Sequence, residues 1–513
     1  MKLKLFFAIL FLSGSTQAQV AGDYDNSFGT NGKVVVSDPS SSKVKLSNIA
    51  VQSDGKIVVV NKKGNLDTQF HIQRFLSDGT KDLSFGTNGI SSITLPSYTV
   101  SLKNITIQPD GKILAGGDVY PNAFNSDHYC GIVRLNPNGS LDTTFGNGGK
   151  VTFAYSSYAN ASDEINKIVV QPDGKILTAG MSYDGTKGSF AVARLNADGS
   201  FDTGFGTGGK QVKSFPATIA SVVYNVKVLP NGNILLAGTI GNSFGLVKLM
   251  PNGDFDTSFN TTGAKSYASD LTGNYSVMTF LPDQSMIFAG VTSSGQNKYF
   301  KFNSNLQLDP AFGTGGTVTT GTSSGNYQES GVSRMVTDNE GRIFALGRIN
   351  GPGSVLLFSV TCFTPNGAID NSFATNGRLV INHGYLTNGP FDCILQADQK
   401  LLISGYITND QYSTLSDGFL NRFHTQMSVL GTAEKNKISE FTVFPNPVKD
   451  IVTIGHLDKK IFNQIIEIVD GTGKLILQQR AQHETEKIDI SHLSSGIYYI
   501  KIGSELSKKV IKK

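Results

Sequence analysis

Charge is scarce in this sequence, and the scarcity excludes several functions at once. Only 16% of the 513 residues are charged, with 44 Lys and Arg against 40 Asp and Glu and a net charge of +4; an average soluble domain is about 25% charged. Without a Lys/Arg cluster the chain lacks the electrostatic footprint of a nucleic-acid binder. Past the N-terminus no apolar run approaches the roughly 20 residues of a membrane-spanning helix. Cysteine is nearly absent: three residues are an odd number and too few for a disulfide framework, so Cys362 and Cys393 are expected to be buried free thiols. No amphipathic helical period of useful length runs through residues 20–426. Neither His-Glu-x-x-His nor Cys-x-x-Cys occurs, so no metal and no cofactor is expected. What the chain does have is 39% apolar residues, 32 Phe and 57 Gly, enough for a folded core rich in turns.

The middle of the chain repeats. Asp-x-x-Phe recurs at Asp25/Phe28, Asp82/Phe85, Asp142/Phe145, Asp202/Phe205, Asp256/Phe259, Asp309/Phe312 and Asp370/Phe373. Between successive copies stand Gln52-Ser53-Asp54-Gly55-Lys56, Gln108-Pro109-Asp110-Gly111-Lys112 and Gln171-Pro172-Asp173-Gly174-Lys175, with weaker copies at 229–233, 281–285, 338–342 and 396–400. Asp-Gly between apolar runs is a hairpin signal, because Gly tolerates the positive φ of a tight turn. Each unit reads as four strands, and tandem four-stranded units predict a β-propeller, which removes exposed sheet edges by radial repetition. Because the first Asp-x-x-Phe has no unit before it and the last unit lacks its own, residues 25–36 are expected to supply the outer strand of blade seven. The segments Gln171–Gly180 and Arg134–Gly146 resemble the delta-60 β-propeller repeat over about residues 23–430. That resemblance implies the fold and carries no general catalytic assignment. Gln284 and Gln399 in place of the turn Gly, and the sequence Glu340-Gly341, depart from the pattern.

The two ends read as addresses. Lys2 and Lys4, an apolar run over 5–12 and the small residues before Ala18 have the order of a secretory signal peptide over 1–18. The propeller is expected over 19–430, a linker over 431–439 and a small immunoglobulin-like β-sandwich over 440–513. Within that last segment Phe444-Pro445-Asn446-Pro447, Asp470-Gly471-Thr472-Gly473-Lys474 and the run from Leu493 through Gly496 and Tyr498 to Ile502 resemble the type A C-terminal sorting domain of type IX secretion. The resemblance implies Bacteroidetes-type cargo exported across the outer membrane to the cell surface or medium, with the secretion machinery as partner and Pro445, Asn446, Pro447, Gly473, Gly496 and Tyr498 as the sorting motif.

Chemistry-bearing constellations are few. The repeated Asp suits backbone capping better than calcium, which needs alternating oxygen ligands, and the Phe is expected to fill the space between blades. Residues 321–325 match Gly-x-Ser-x-Gly but lack the strand-turn-helix setting of a nucleophile elbow. Asp118, Asp127 and His128 read as one solvated polar loop. Asp163, Glu164, Glu329 and Asp392 are the carboxylates available at the inner strands, and they are not visibly paired as glycoside hydrolysis requires. With strands running from the centre outward, the variable loops share one face, which collects Tyr120, Tyr155, Tyr158, Tyr183, Tyr275 and Tyr327. Tyr offers contact area and a hydrogen bond at low entropic cost. The sequence thus points to an exported, monomeric, non-enzymatic propeller that binds a glycan or a surface protein, and next to a polysaccharide hydrolase or lyase with its site in the channel.

Overall fold

The computed structural model describes residues 20–38, 43–63, 67–121, 128–156, 162–215, 221–241, 243–267, 271–321, 328–409, 415–426, 441–455, 465–470, 474–502 and 506–513. The chain forms two compact units, Met1–Ser428 and Val429–Lys513. The first is an all-β propeller of seven four-stranded blades. Its inner strands are Lys45–Val51, Tyr98–Ile107, Ser162–Val170, Ser221–Val228, Leu271–Phe280, Gln328–Thr337 and Thr387–Leu395; each packs on the next and the last packs on the first, closing a ring. From the inner strand each blade runs outward in chain order, as in Ser162–Val170, Ile176–Tyr183, Gly188–Leu195 and Lys210–Lys213. Blade seven takes its fourth strand from the N-terminal segment: Lys33–Val36 pairs antiparallel with Asp417–Phe423, Lys33 opposite Asn421 and Val36 opposite Gly418.

The recurring turns follow from backbone geometry. Gly111 sits at φ +83° and donates its N–H to the Gln108 carbonyl over 2.9 Å, while Asp110 Oδ1 accepts the Lys112 N–H. The degenerate copies keep this shape: Gln284 and Gln399 adopt φ of 66° and 62°, and Gly341 holds the position in blade six at 78°. The departures therefore cost local strain and leave the turn unchanged.

The Asp-x-x-Phe motif is the joint between blades. Asp142 Oδ1 accepts hydrogen bonds from the Thr144 N–H and hydroxyl. Its Oδ2 lies 2.7 Å from Arg134 Nε and 2.9 Å from Lys112 Nζ, all within blade two. The Arg134 guanidinium stacks 4.5 Å over the Phe145 ring and donates through Nη1 to the Ala197 carbonyl of blade three. Gly146 N–H donates to the Asp198 carbonyl over 2.7 Å, and Gly199 is required because a Cβ there would come 2.8 Å from the Phe145 ring. The same joint closes the ring: Arg422 and Lys400 hold Asp25 at 2.6 and 3.0 Å, and Arg422 reaches the Ser77 carbonyl of blade one over 2.6 Å.

The second unit stacks two sheets over one core. Thr442–Phe444, Ile451–Gly455 and Glu486–Asp489 form one; Leu475–Arg480, Ile465–Asp470, Gly496–Ile502 and Leu506–Lys512 form the other. Val452 and Ile454 from the first sheet meet Ile466, Ile468 and Ile500 from the second.

Candidate functional site

The inner strands all break step at one level. Their pairing with the second strand skips a register at Leu46/Ile49, Leu102/Asn104, Ile165/Lys167, Val223/Asn225, Thr272/Val277, Val332/Arg334 and Pro390/Asp392. A β-bulge leaves one residue unpaired and re-aims its side chain. Here the skipped residues Asn48, Lys103, Asn166, Tyr224, Ser333 and Phe391 all line one cavity of about 440 Å³. The bulge also explains the Gly that ends the Ile-Leu-x-Ala-Gly stretch. A Cβ on Gly180 would lie 1.8 Å from the Glu164 carbonyl oxygen, and one on Gly238 1.8 Å from that of Val222. Blade one has Asn61 there; its bulge differs, passing both Ser47 and Asn48, and Asn61 Nδ2 donates to Gln73 Oε1.

Residues beside the bulges tie the blades around the cavity. Asn104 Oδ1 accepts the Ile168 N–H, Asn166 Nδ2 donates to the Val223 carbonyl, and Asn225 Nδ2 donates to that of Met278. Asp392 Oδ2 accepts the Ile49 N–H at 2.9 Å, while its Oδ1 pairs with Arg334 Nε at 2.5 Å. Between blades two and three Lys103 Nζ bridges two carboxylates, Asp118 at 2.6 Å and Glu164 at 2.8 Å. Burial pushes the Asp118 carboxyl up to about 6 against the pull of Lys103. Burial works the other way on Lys103, but the two carboxylates prevail and raise it. Lys167 is lowered to about 8, by burial first and by the Arg334 charge second.

The expected site residues fall in several places. Tyr120 is half-buried, its hydroxyl 3.4 Å from Asp118 Oδ2 and its ring 4.2 Å from the His128 imidazole. Tyr183 is half-buried and donates to the Gly185 carbonyl. Tyr155 does not stand on the loop face: it is buried, edge-on to Phe153, with its hydroxyl donating to Thr178 Oγ1 at 3.2 Å. Tyr158 and Tyr327 lie outside the described residues, and Tyr275 belongs to the strand Leu271–Phe280 with its side chain outside the description. Asp118 is not part of a solvated loop; it sits buried in Ile113–Pro121, because that strand runs past Gly117, and His128 Nδ1 bonds Ser162 Oγ instead. Asp127 and most of residues 321–325 lie outside the described residues. Asp163 accepts the Tyr155 N–H, and Glu329 is held by Asn297, Thr320 and Arg378. Cys130, Cys362 and Cys393 are buried free thiols.

In the second unit the expected motif is built into the sandwich. Asn446, between Pro445 and Pro447, accepts the Ile511 N–H on Oδ1, and Tyr498 donates to the Ser494 carbonyl two residues before Gly496. Gly473 lies outside the described residues.

Lys103, Asn166, Tyr224, Ser333 and Phe391 escaped the sequence reading. Each stands eight positions before the left-handed residue of the next turn: Gly111, Gly174, Gly232, Gly341 and Gln399. That alignment was the available signal.

No curated protein matches the chain. Among solved structures, a virginiamycin B lyase from Staphylococcus aureus is 12% identical with a TM-score of 0.42, covering 76% of this chain and 98% of its own. A protein of unknown function from Dyadobacter fermentans is 13% identical at 0.39, covering 77% and 98%. PorZ, a surface component of the type-IX secretion system of Porphyromonas gingivalis, is 12% identical at 0.39, covering 92% of this chain and 59% of its own. Residues 52–85, 108–145, 171–205 and 229–259 match a β-propeller domain of unknown function, DUF5122, and residues 442–513 match the secretion system C-terminal sorting domain. Four segments of the propeller thus match the DUF5122 β-propeller family, and residues 442–513 match the secretion system C-terminal sorting domain.

Proposed function

We propose that this exported propeller is a non-enzymatic binding protein that receives a glycan in its central channel at the cell surface. The observation that carries the reading is the ring of bulges, which directs one side chain from each of six blades into a single cavity. Convergence of amides, aromatic rings and cations on a cavity of this size is the ordinary composition of a small-ligand site. A hydrolase would need one carboxyl poised as acid and another free as base or nucleophile. Glu164, Glu329 and Asp392 are each held by a cation, Asp163 is spent on capping the Tyr155 amide, and Asp118, though its pKa is raised, is buried against Lys103 and does not line the cavity. Tyr120 and Tyr183 extend the surface on the loop side. The test is retention without turnover. The full chain is incubated with a panel of surface polysaccharides, binding is read by affinity electrophoresis, and cleavage by the appearance of reducing ends or unsaturated products. Retardation without new ends is expected. Release of new chain ends, abolished by Glu164→Gln, would establish the hydrolase or lyase instead.

A further inference from the structure

Among the described residues, the cavity walls carry four cationic side chains, Lys62, Lys103, Arg334 and Arg348, and no carboxylate. Lys103 and Arg334 are balanced by acids behind the wall. Lys62 and Arg348 have no ion pair among the described residues. They occupy the same place in their blades, the sixth residue of the second strand, counted from Ile57 and from Ile343, where blade two has Asp118. Lys45 stands opposite Lys62 in register, with its ammonium 4.3 Å over the Tyr406 ring. Positive charge is thus gathered around one cavity, with Lys62 half-buried and Arg348 exposed to solvent.

Burial first and Lys103 second lower the Lys62 pKa, with Asp118 pulling the other way; burial, then Lys43 and Arg348, lower that of Lys45. Lys62 and Lys45 would gain from an anion brought beside them, because an opposite charge favours the protonated ammonium that burial disfavours. Beside the cations the cavity offers the Asn48 and Asn166 amides and the Tyr224 and Phe391 rings, groups that hydrogen-bond hydroxyls and pack on sugar faces.

Resting on the binding reading above, we propose that the channel selects an acidic saccharide, a sugar chain end bearing carboxylate or sulfate, with Lys62 and Arg348 recognising the anion. The full chain is titrated calorimetrically with tetragalacturonate, with a sulfated galactan tetrasaccharide and with the neutral galactan tetrasaccharide. Binding of at least one acidic probe, at least about tenfold tighter than the neutral one, is expected. That binding weakens as salt rises from about 50 to about 300 mM. The Lys62→Gln/Arg348→Gln double variant loses about tenfold or more for the acidic probe and keeps the parent melting temperature. Should the double variant melt early, Lys62→Gln alone and the salt series carry the comparison. Response to only the uronate or only the sulfate identifies the anion. Equal affinity for neutral and acidic probes, or a variant that binds as its parent does, overturns the acidic preference and leaves saccharide binding standing. Failure of all three probes to bind overturns the acidic preference as well, and a simultaneous failure of the polysaccharide panel overturns the binding reading with it.

Discussion

Single residues carry two kinds of strain relief in this ring, and they respond oppositely to pH. Asp142 is buried beside Arg134 and Lys112; burial opposes its charge, but the Thr144 hydrogen bonds and the two cations win and hold it well below the usual carboxylate range. Asp25 behaves likewise at the ring closure. Their folded pKa values are depressed, so the stability they contribute is present above the unfolded value and is lost as pH falls below about 4. Asp118 is the reverse. With its folded pKa raised to about 6, the folded state binds the proton more tightly, and stability falls as pH rises from about 4 to about 6. Urea unfolding at pH 4.5, 6 and 7.5 should therefore show the parent losing ground to Asp118→Asn across that interval; parallel curves would refute it. Gly180 supplies a steric counterpart. Gly180→Ala must displace the Glu164 backbone at the bulge, where the added Cβ would meet the carbonyl at 1.8 Å, and is expected to cost about 3 kcal/mol or more in denaturant titration. A loss under about 1 kcal/mol would mean the bulge yields.

At the level of strands and turns, much was legible because it is written locally. Asp-Gly turns, alternating apolar runs and the Asp-x-x-Phe spacing are each encoded within a few residues, so blade number, strand order and the N-terminal closing strand all follow from the sequence. The bulges were not legible, since a bulge is an offset between two strands and neither strand announces it alone. Asp118 was misread for a related reason: Gly116-Gly117 resembles a strand end, yet in the fold it is where the bulge carbonyl approaches, and pairing continues to Pro121. Tyr155 was placed with the loops because it follows a short outer strand, whereas its ring turns back into the space against Phe153 and Thr178. The closing strand yields the sharpest prediction on this scale. Removing residues 20–36 strips Asp417–Phe423 of its partner and Arg422 and Lys400 of Asp25. Leaving one side of a buried ion pair costs about 3–5 kcal/mol, and an unpaired edge is added to that. The truncated chain should melt well below the parent, with broadened calorimetric transitions; an unchanged melting temperature would show the strand to be dispensable.

For the whole molecule, the two units have separate cores, so the propeller and the sorting domain are expected to succeed or fail independently. Deleting residues 440–513 should leave the propeller's unfolding transition in place while the protein accumulates in the periplasm. Fractionation of cells expressing the deleted chain decides this: efficient appearance at the surface or in the medium would separate export from the sorting domain.

The closure has a topological consequence. Gly22 donates its N–H to the His424 carbonyl over 2.7 Å, so the chain enters and leaves the ring at neighbouring points. The junctions after blades one, two and three are fastened by the same Arg–Asp–Phe device as the closure, and Lys248 and Lys301 hold Asp256 and Asp309 in its place after blades four and five. A circularly permuted propeller, with residues near 22 and 424 joined and new termini cut in the connection after any other blade, should assemble the same seven-membered wheel around the same cationic axle.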